Sequence, residues 1–202
     1  MIVILDYGAS NLRSVQKAFD YLRIPATVSN DARLVADADK IVLPGVGAFG
    51  QGISAVRSRG FDSAIGEHLS KQKMLLGICL GMQLLLSKSE EMGVHQGLDF
   101  ISGTVQQFNS QHAKVPQIGW NNLHEIRRDS LLFKGIDDGA HFYFVHSYFC
   151  NVQTADAVSA RASYAQENFA VAIEKNGIFA VQFHPEKSGS LGLKVLENFA
   201  RL

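Results

Sequence analysis

Apolar and polar positions follow different patterns in the two halves of this 202-residue chain. In the first half, short apolar runs alternate with segments in which apolar residues recur every three or four positions, which predicts strands followed by helices. This alternation is typical of a parallel sheet with helices on both faces. The predicted strands are Ile2–Leu5, Thr27–Ser29, Lys40–Leu43 and Met74–Ile78, and the predicted helices are Asn11–Leu22, Gly50–Ser70 with a break near Gly60, and Leu80–Leu86.

In the second half, apolar runs follow one another with few helical segments between them. We therefore predict one α/β domain over residues 1–202, with a central mixed, mainly parallel sheet and helices on both faces. Ser10 or Asn11 is the expected cap of the first helix. The later strands are predicted at Val105–Phe108, His141–Val145, Ala157–Ala162, Ala170–Glu174 and Ile178–Phe183, with a final helix at Leu191–Leu202.

Composition and charge narrow the classes of function. Lys plus Arg and Asp plus Glu number 19 each, so there is no basic surface of the kind that binds nucleic acid. The first residues lack a basic segment and the longest apolar stretch, Met74–Leu86, is too short to span a bilayer, so neither a signal peptide nor a membrane partner is expected. Two cysteines do not make a disulfide framework, and we expect a reducing, cytoplasmic location. The histidines are scattered and no second cysteine lies near Cys79, so no metal site is predicted.

The segment Gly77-Ile78-Cys79-Leu80-Gly81 has the form of a nucleophile elbow in which cysteine is the nucleophile. Such an elbow is a sharp turn between a strand and a helix, and glycines on each side relieve crowding. The following helix would favour the thiolate, and the amide of Leu80 would be a natural donor to an oxyanion. The alternative is a buried structural cysteine between two packing glycines.

His184-Pro185-Glu186 follows the last apolar strand. Pro185 disfavours a helix at His184, and residues two apart in an extended chain point to the same side. Glu186 could therefore orient His184, which would act as the base for a thiol. The alternative is an ordinary surface turn. Because Cys79 and His184 both follow strands, the ends of those strands would bring them to one edge of the sheet.

A glycine-rich loop, Pro44–Gly50, matches the dinucleotide fingerprint G-x-G-x-x-G, but it does not follow the first strand and no acidic residue stands where a ribose would be held. We interpret it instead as a flexible loop beside the elbow whose amides serve an oxyanion. Three further positions have structural interpretations: Cys150 as a small buried residue, His146 as a buried histidine although it could act as a base, and Trp120-Asn121-Asn122 as a turn.

Together these motifs resemble the class I, or triad, glutamine amidotransferases. The class segments are Pro44–Gly47, Gly77–Gln83 and Gln182–Glu186. Further segments are similar to the glutaminase subunits of imidazole glycerol phosphate synthase in particular: Asp6-Tyr7-Gly8 with Asn11-Leu12, Lys114-Val115-Pro116 with Gly119-Trp120-Asn121, Tyr143–Tyr148, and Lys187-Ser188. Ser10 and Gln117 depart from that pattern, in which glycine and histidine are common.

The resemblance implies hydrolysis of L-glutamine to glutamate and ammonia through a thioester on Cys79, with His184 and Glu186 completing the triad and no cofactor. It implies a partner, a (β/α)₈-barrel cyclase subunit in a heterodimer, which uses the ammonia to make imidazole glycerol phosphate and aminoimidazole carboxamide ribotide in histidine biosynthesis. The implied oxyanion donors come from Leu80 and the loop Gly45, Val46 and Gly47, the glutamine contacts from Gly47, Gln83, Ser147 and Tyr148, and the partner contacts from Asn11, Trp120 and Lys187.

Three other functions stay open at this point. The chain could serve another synthase, such as anthranilate or pyridoxal phosphate synthase, although Lys114-Val115-Pro116 with Gly119-Trp120-Asn121 favours the first assignment. It could be a silent binding module that keeps the fold, which the intact triad disfavours. It could also be a cysteine hydrolase that acts on peptides or esters.

Overall fold

The computed structural model describes residues 1–8 and 11–202, so the candidate cap Ser10 lies outside the described residues. The first half contains β1 (Ile2–Leu5), α1 (Leu12–Tyr21), β2 (Ala26–Ser29), α2 (Ala32–Asp37), β3 (Lys40–Leu43), α3 (Phe49–Ser58), α4 (Phe61–Ser70), β4 (Met74–Ile78) and α5 (Leu80–Leu84). The second half contains β5 (Leu86–Ser89), β6 (His95–Gln96), β7 (Ile101–Gln107), β8 (Gln117–Asn122), β9 (His141–His146), β10 (Tyr148–Val152), β11 (Val158–Tyr164), β12 (Glu167–Lys175), β13 (Ile178–Val181) and α6 (Gly189–Arg201).

The central sheet is mixed, as predicted. Within the described part of the chain its strands run in the order β2-β1-β3-β4-β13-β12-β10-β7-β5-β6, with β11 paired to β12. The strands from β2 to β13 are parallel to one another, whereas the strands beyond β13 pair mostly antiparallel. A separate ribbon is formed by β8 and β9. The parallel half therefore has one edge at which several strands end together.

Helices cover both faces of the sheet, which confirms the predicted layering. Alternate residues of a strand point to opposite faces, and β1 illustrates this: Ile2 and Ile4 join one apolar core with α1 and α6, while Val3 and Leu5 join the other with α2, α3, α4 and α5. Burial on both faces explains why β1 is an uninterrupted apolar run.

Several elements differ from the prediction. The helix predicted at Leu80–Leu86 ends at Leu84, and Leu86 begins β5, because that segment pairs with β7. The predicted turn at Trp120-Asn121-Asn122 is wrong, since these residues lie in β8, paired with β9. The alternation of apolar and polar residues did not predict this strand, because the apolar residues Ile118 and Trp120 point outward while Gln117 is buried. The helix α2 and the strands β6 and β10 were also not predicted.

Across the described helices, none combines the length and the hydropathy that crossing a membrane would require.

Candidate active site

Three neighbouring parallel strands end at the same edge of the sheet and bring the predicted motifs together. In the sheet order, β3 pairs with β4, and β4 pairs with β13. The glycine-rich loop follows β3, Cys79 follows β4, and His184 lies three residues after the end of β13. The carboxyl ends of parallel strands are where sites assemble in such sheets.

Cys79 has the strained backbone expected of an elbow. Its φ and ψ are 53° and −108°, a conformation that L residues rarely adopt. Close packing explains both flanking glycines: a Cβ on Gly81 would lie 1.8 Å from the carbonyl oxygen of Leu43, and one on Gly77 would lie 3.0 Å from the backbone of Gly81. The chain therefore turns sharply between β4 and α5 with the Cys79 side chain in the site.

His184 and Glu186 form the predicted pair, but a 3-10 turn at Pro185–Lys187 brings them together rather than the extended chain that the sequence predicted. The Nδ1 of His184 lies 2.8 Å from Oε1 of Glu186, and both side chains are almost completely buried. A carboxylate can only accept, so Nδ1 carries a proton and Nε2 is left to interact with Cys79. Ser188 fixes the turn, because its hydroxyl donates to the carbonyl of His184 at 2.7 Å and accepts from the amide of Tyr143 at 3.0 Å.

The charge state of His184 is set by two acidic neighbours. Burial lowers its pKa, but hydrogen bonding to Cys79 and Glu186, together with the charges of both groups, raises it to about 10. Among the described residues, Nε2 has no partner at full hydrogen-bond geometry, and catalytic hydrogen bonds often tighten only once substrate is bound. The site therefore favours a protonated imidazole beside the sulfur.

Asn11, predicted as a partner contact, reaches the triad. Its Nδ2 donates to Oε1 of Glu186 at 2.6 Å, so this oxygen accepts one hydrogen bond from Nδ1 of His184 and one from the neutral Asn11 amide. Asn11 is the N-cap residue that precedes α1, with φ 79°, and its side chain makes no cap hydrogen bond. Its amide is therefore used to hold Glu186 rather than to cap the helix.

The glycine-rich loop lies against the elbow with its carbonyl toward the predicted oxyanion donor. The amide of Leu80 donates to the carbonyl oxygen of Gly45 at 3.3 Å. Tyr7 holds the start of the loop, since its hydroxyl donates to the carbonyl of Pro44 at 2.6 Å, and burial, aided by the charge of Cys79, raises the pKa of Tyr7 and keeps that hydroxyl neutral. Gly47 is exposed with φ 103° and open space beside it.

A cavity of about 420 Å³ opens onto Cys79, a size suited to a small ligand. It contains every predicted glutamine contact. Both hydrogens of the Gln83 amide are used inside the protein, on the carbonyl of Tyr148 at 3.0 Å and on Oε1 of Gln182 at 3.1 Å, which leaves its oxygen for a ligand. The lining residues are Val46, Gly47, Cys79, Leu80, Gln83, Glu91, Pro116, Val145, His146, Ser147, Tyr148 and Lys187.

Two residues of the site were missed by sequence reasoning. Glu91 lines the cavity, and its Oε2 accepts from the amide of Phe49 at 2.6 Å where α3 begins. Gln182 is fully buried and its amide lies beside Cys79. Gln182 stood inside a recognised segment, two positions from His184, and that spacing was a usable signal. Glu91 reaches the site from the β5–β6 connection, which no local pattern indicated.

The remaining predicted residues lie at the rim or behind the site. Lys187 is exposed and lines the cavity. Trp120 is 58% exposed on β8 and packs edge-on against Tyr143.

His146 is buried: its Nδ1 lies 2.8 Å from the carbonyl of Tyr148, and burial lowers its pKa to about 4. Cys150 is fully buried, and burial raises its pKa, so it stays a thiol. In the described part of the chain, no group of three or more His, Cys, Asp or Glu side chains could hold a metal ion.

The chain is similar to known proteins over its whole length. The family model described as glutamine amidotransferase class-I matches residues 3–202. The imidazole glycerol phosphate synthase subunit HisH of Chlorobium luteolum is 59% identical over 200 residues, which cover 99% of each chain. The subunit of the same name from Chlorobium chlorochromatii is 57% identical over 202 residues, which cover 100% of both chains.

Two solved structures share the fold. One described as a glutamine amidotransferase superposes with a TM-score of 0.76 at 17% identity and covers 100% of both chains. PurLQS from Thermotoga maritima superposes with a TM-score of 0.76 at 20% identity, covering 99% of this chain and 97% of that chain. The family match covers nearly all residues, and the relatives exceed half identity over full length. The chain therefore belongs to the class-I glutamine amidotransferases, among the HisH subunits of imidazole glycerol phosphate synthase.

Proposed function

We propose that this chain is the glutaminase subunit of an imidazole glycerol phosphate synthase, in which Cys79 hydrolyses L-glutamine and the ammonia passes to a cyclase. The observation that carries this proposal is that the elbow cysteine lines a cavity of about 420 Å³ and interacts with a buried His184–Glu186 pair. The identity of 59% to a HisH subunit over the full length supports the assignment of imidazole glycerol phosphate synthesis as the reaction that uses the ammonia.

Glutamine fits the cavity with its side-chain amide toward Cys79. Glu91 also lines this cavity, and its carboxylate suits the α-ammonium group of the substrate, since opposite charges attract strongly in a partly buried site. The Gln83 oxygen, Ser147, Tyr148 and the backbone at Gly47 are the polar groups that would hold the rest of the molecule.

The first half of the reaction breaks the carbon–nitrogen bond. The Cys79 thiolate attacks the amide carbon of glutamine, and the carbonyl oxygen gains the negative charge. The amide of Leu80 and an amide turned inward from Val46 hold that oxygen. His184, protonated beside the thiolate, gives its proton to the leaving nitrogen, which departs as ammonia and leaves a glutamyl thioester.

The second half regenerates the enzyme. His184, now neutral at Nε2, takes a proton from water, whose oxygen attacks the thioester carbon. The carbon–sulfur bond breaks, glutamate leaves, and the Cys79 sulfur recovers its charge beside the protonated imidazole. Glu186 stabilises the charged imidazole of His184 and holds the Nδ1 proton of that ring in place throughout.

The partner in this proposal is a (β/α)₈-barrel cyclase subunit in a heterodimer. Asn11, Trp120 and Lys187 are the proposed contacts, and two features support them. Trp120 and Ile118 expose apolar area on one face of β8, and exposed aromatic residues are enriched where proteins bind one another. Lys187 lies at the mouth of the cavity from which ammonia would leave. The free thiols Cys79 and Cys150 fit a reducing cytoplasm.

Replacing the nucleophile tests the proposal. Cys79→Ala should abolish synthesis of imidazole glycerol phosphate from glutamine in a mixture with the cyclase, while synthesis from added ammonium salt survives because that chemistry lies in the partner. Cys150→Ser is the matched control, since it alters the other buried thiol, and it should keep glutamine-dependent synthesis. Product is assayed with each nitrogen source.

Each alternative has its own outcome in this design. Full glutaminase activity in Cys79→Ala would remove Cys79 as the nucleophile. Activity only with an anthranilate or pyridoxal phosphate synthase, added in turn, would reassign the acceptor. No acyl-enzyme from glutamine and no labelling by a glutamine-analogue electrophile would indicate a silent module, and an acyl-enzyme formed from peptides or esters would indicate a hydrolase.

A further inference from the structure

Gln182 is a fully buried amide that lies beside the nucleophile. It follows Val181, whose register partner in β4 is Ile78, so Gln182 is level with Cys79. The amide of Cys79 donates to the carbonyl of Val181 at 2.8 Å, which ties the two strand ends together. The side-chain Nε2 of Gln182 lies 3.7 Å from Sγ of Cys79.

The orientation of this amide is determined by its neighbours. The carbonyl of Tyr148 can only accept, so the NH₂ group of Gln83 faces it at 3.0 Å. The same NH₂ group lies 3.1 Å from the Gln182 side chain, which must present its oxygen to avoid two donors facing each other. The Gln182 NH₂ group is thereby left to point at Cys79.

We propose that Gln182 stabilises the charged form of the nucleophile by donating a hydrogen bond to Sγ of Cys79, with its orientation set by Gln83 and the carbonyl of Tyr148. This inference rests on the proposed glutaminase function and assigns a part of it to a residue outside the triad. Gln83 then has two tasks, since it lines the glutamine cavity and also aims the amide that faces the sulfur.

The physical reason is that a donor to an anion favours the anion. A buried charge loses its hydration and needs hydrogen bonds in exchange. The titratable groups that interact with Cys79 across the site are His184 after β13, Tyr7 after β1 and Cys150 in β10. Only His184 is positively charged, and the Tyr7 hydroxyl is used on Pro44, so the Gln182 amide is the neutral donor directed at the sulfur.

Gln182→Met tests the inference, because methionine has nearly the same shape and no donor. Alkylation of Cys79 by iodoacetamide is followed against pH, with the modified cysteine identified by peptide mass spectrometry. The pH midpoint of alkylation should rise by about one unit, which lowers the rate about tenfold at pH values below the midpoint. The value of kcat/KM for glutamine at neutral pH should fall, chiefly through kcat.

Two comparisons separate this role from simple packing. Gln83→Met should move the alkylation midpoint in the same direction, since it frees the Gln182 amide to turn, whereas Ser147→Ala, at another cavity residue, should leave the midpoint in place. Cys150→Ala is the matched control for Gln182→Met. Its sulfur lies 4.0 Å from the oxygen of the same amide, so it disturbs the same buried region without removing the donor to Cys79.

An unchanged midpoint in folded Gln182→Met, or an equal shift in Cys150→Ala, would overturn the inference while leaving the glutaminase function intact. A wild-type chain that neither reacts at Cys79 nor hydrolyses glutamine would instead overturn the function. If Gln182→Met does not fold, the wild-type protein decides: the assigned side-chain ¹⁵N–H signals of Gln182 should shift with pH in step with Cys79 alkylation, and signals that stay constant would refute the contact.

Discussion

Several of the side chains around Cys79 come from the short segment that follows one strand, β13. Gln182 and His184 are two positions apart in the segment that follows β13, and both side chains interact with Cys79. In the proposed mechanism His184 supplies a charge and a proton, while the Gln182 amide is a neutral donor 3.7 Å from the sulfur. Glu186, two positions further on, lies behind His184 at 2.8 Å. One short segment after β13, which ends in a 3-10 turn at Pro185–Lys187, therefore carries most of the groups around the nucleophile.

The roles within the triad predict unequal losses. His184→Ala removes the proton carrier and should lower the turnover of glutamine by about 10²–10⁴ fold, the usual contribution of a general base or acid. Glu186→Gln should cost less, because a misaligned imidazole remains beside the sulfur. Steady-state kcat of both variants, measured under the same conditions, checks this. Equal losses, or a larger loss in Glu186→Gln, would mean that another group carries the proton.

At the scale of elements, strand ends were easier to predict from the sequence than the contacts between distant segments. The strands β1, β3 and β4 follow from local patterns because each is a short apolar run, and the elbow follows from the glycines on each side of Cys79. The position of Gln182 beside Cys79 depends on the pairing of β13 with β4, which joins segments about a hundred residues apart. Glu91 depends on a short hairpin, and β8 on an outward-facing apolar side.

The last residue of β9 is a second histidine that has no catalytic assignment. His146 is packed among Phe108, Phe144 and Phe169, with Nδ1 at 2.8 Å from the carbonyl of Tyr148. Burial lowers its pKa to about 4, the nearby charge of His184 adds to this, and the bond to Tyr148 opposes it. His146 is therefore neutral in the folded protein over the range in which an unfolded histidine becomes protonated.

This difference predicts a pH-dependent loss of stability. The folded pKa lies below the unfolded value of about 6.5, so the unfolded state binds the extra proton, and stability falls as pH drops from about 6.5 toward about 4. Between pH 7 and pH 5 the loss due to His146 should be about 2 kcal/mol. Urea unfolding of wild type and His146→Asn at both pH values measures it, since asparagine keeps a donor for Tyr148 and does not titrate. The same pH dependence in both proteins would contradict the assignment.

At the scale of the whole molecule, the site is incomplete on the side of the glycine-rich loop. The Leu80 amide, a proposed oxyanion donor, is bonded to the carbonyl of Gly45 at 3.3 Å. A second cavity of about 310 Å³ lies behind the loop and shares Val46, Gly47 and Leu80 with the first, so the loop has open space on both sides. Turning the Gly45–Val46 peptide would free the Leu80 amide and direct the Val46 amide into the site.

A loop that completes the oxyanion site only in the complex would suit a subunit that supplies ammonia to another enzyme. Ammonia released before the acceptor is bound wastes glutamine, and in water it becomes mostly protonated and loses its nucleophilicity. We expect the partner to complete the oxyanion site once its own ligand is bound. The proposed contact Asn11 already touches Glu186, and Lys187 lines the cavity, so a partner bound there would lie next to both the triad and the loop.

Turnover of glutamine should therefore rise in steps, from the isolated subunit to the complex with cyclase and then to the complex with cyclase and its ligand. One oxyanion donor is worth about 10²–10³ in rate, which sets the expected size of the rise. Alanine at Gly45 is a poor probe, since its Cβ would lie 2.1 Å from the Tyr7 hydroxyl. Val46→Pro removes the proposed donor and restricts the peptide, so it should lose the rise while still binding cyclase, and Val46→Ala should keep it. Full turnover by the isolated subunit, or activation of Val46→Pro equal to that of Val46→Ala, would show instead that the loop is a rigid turn and that the partner only shields the site from water.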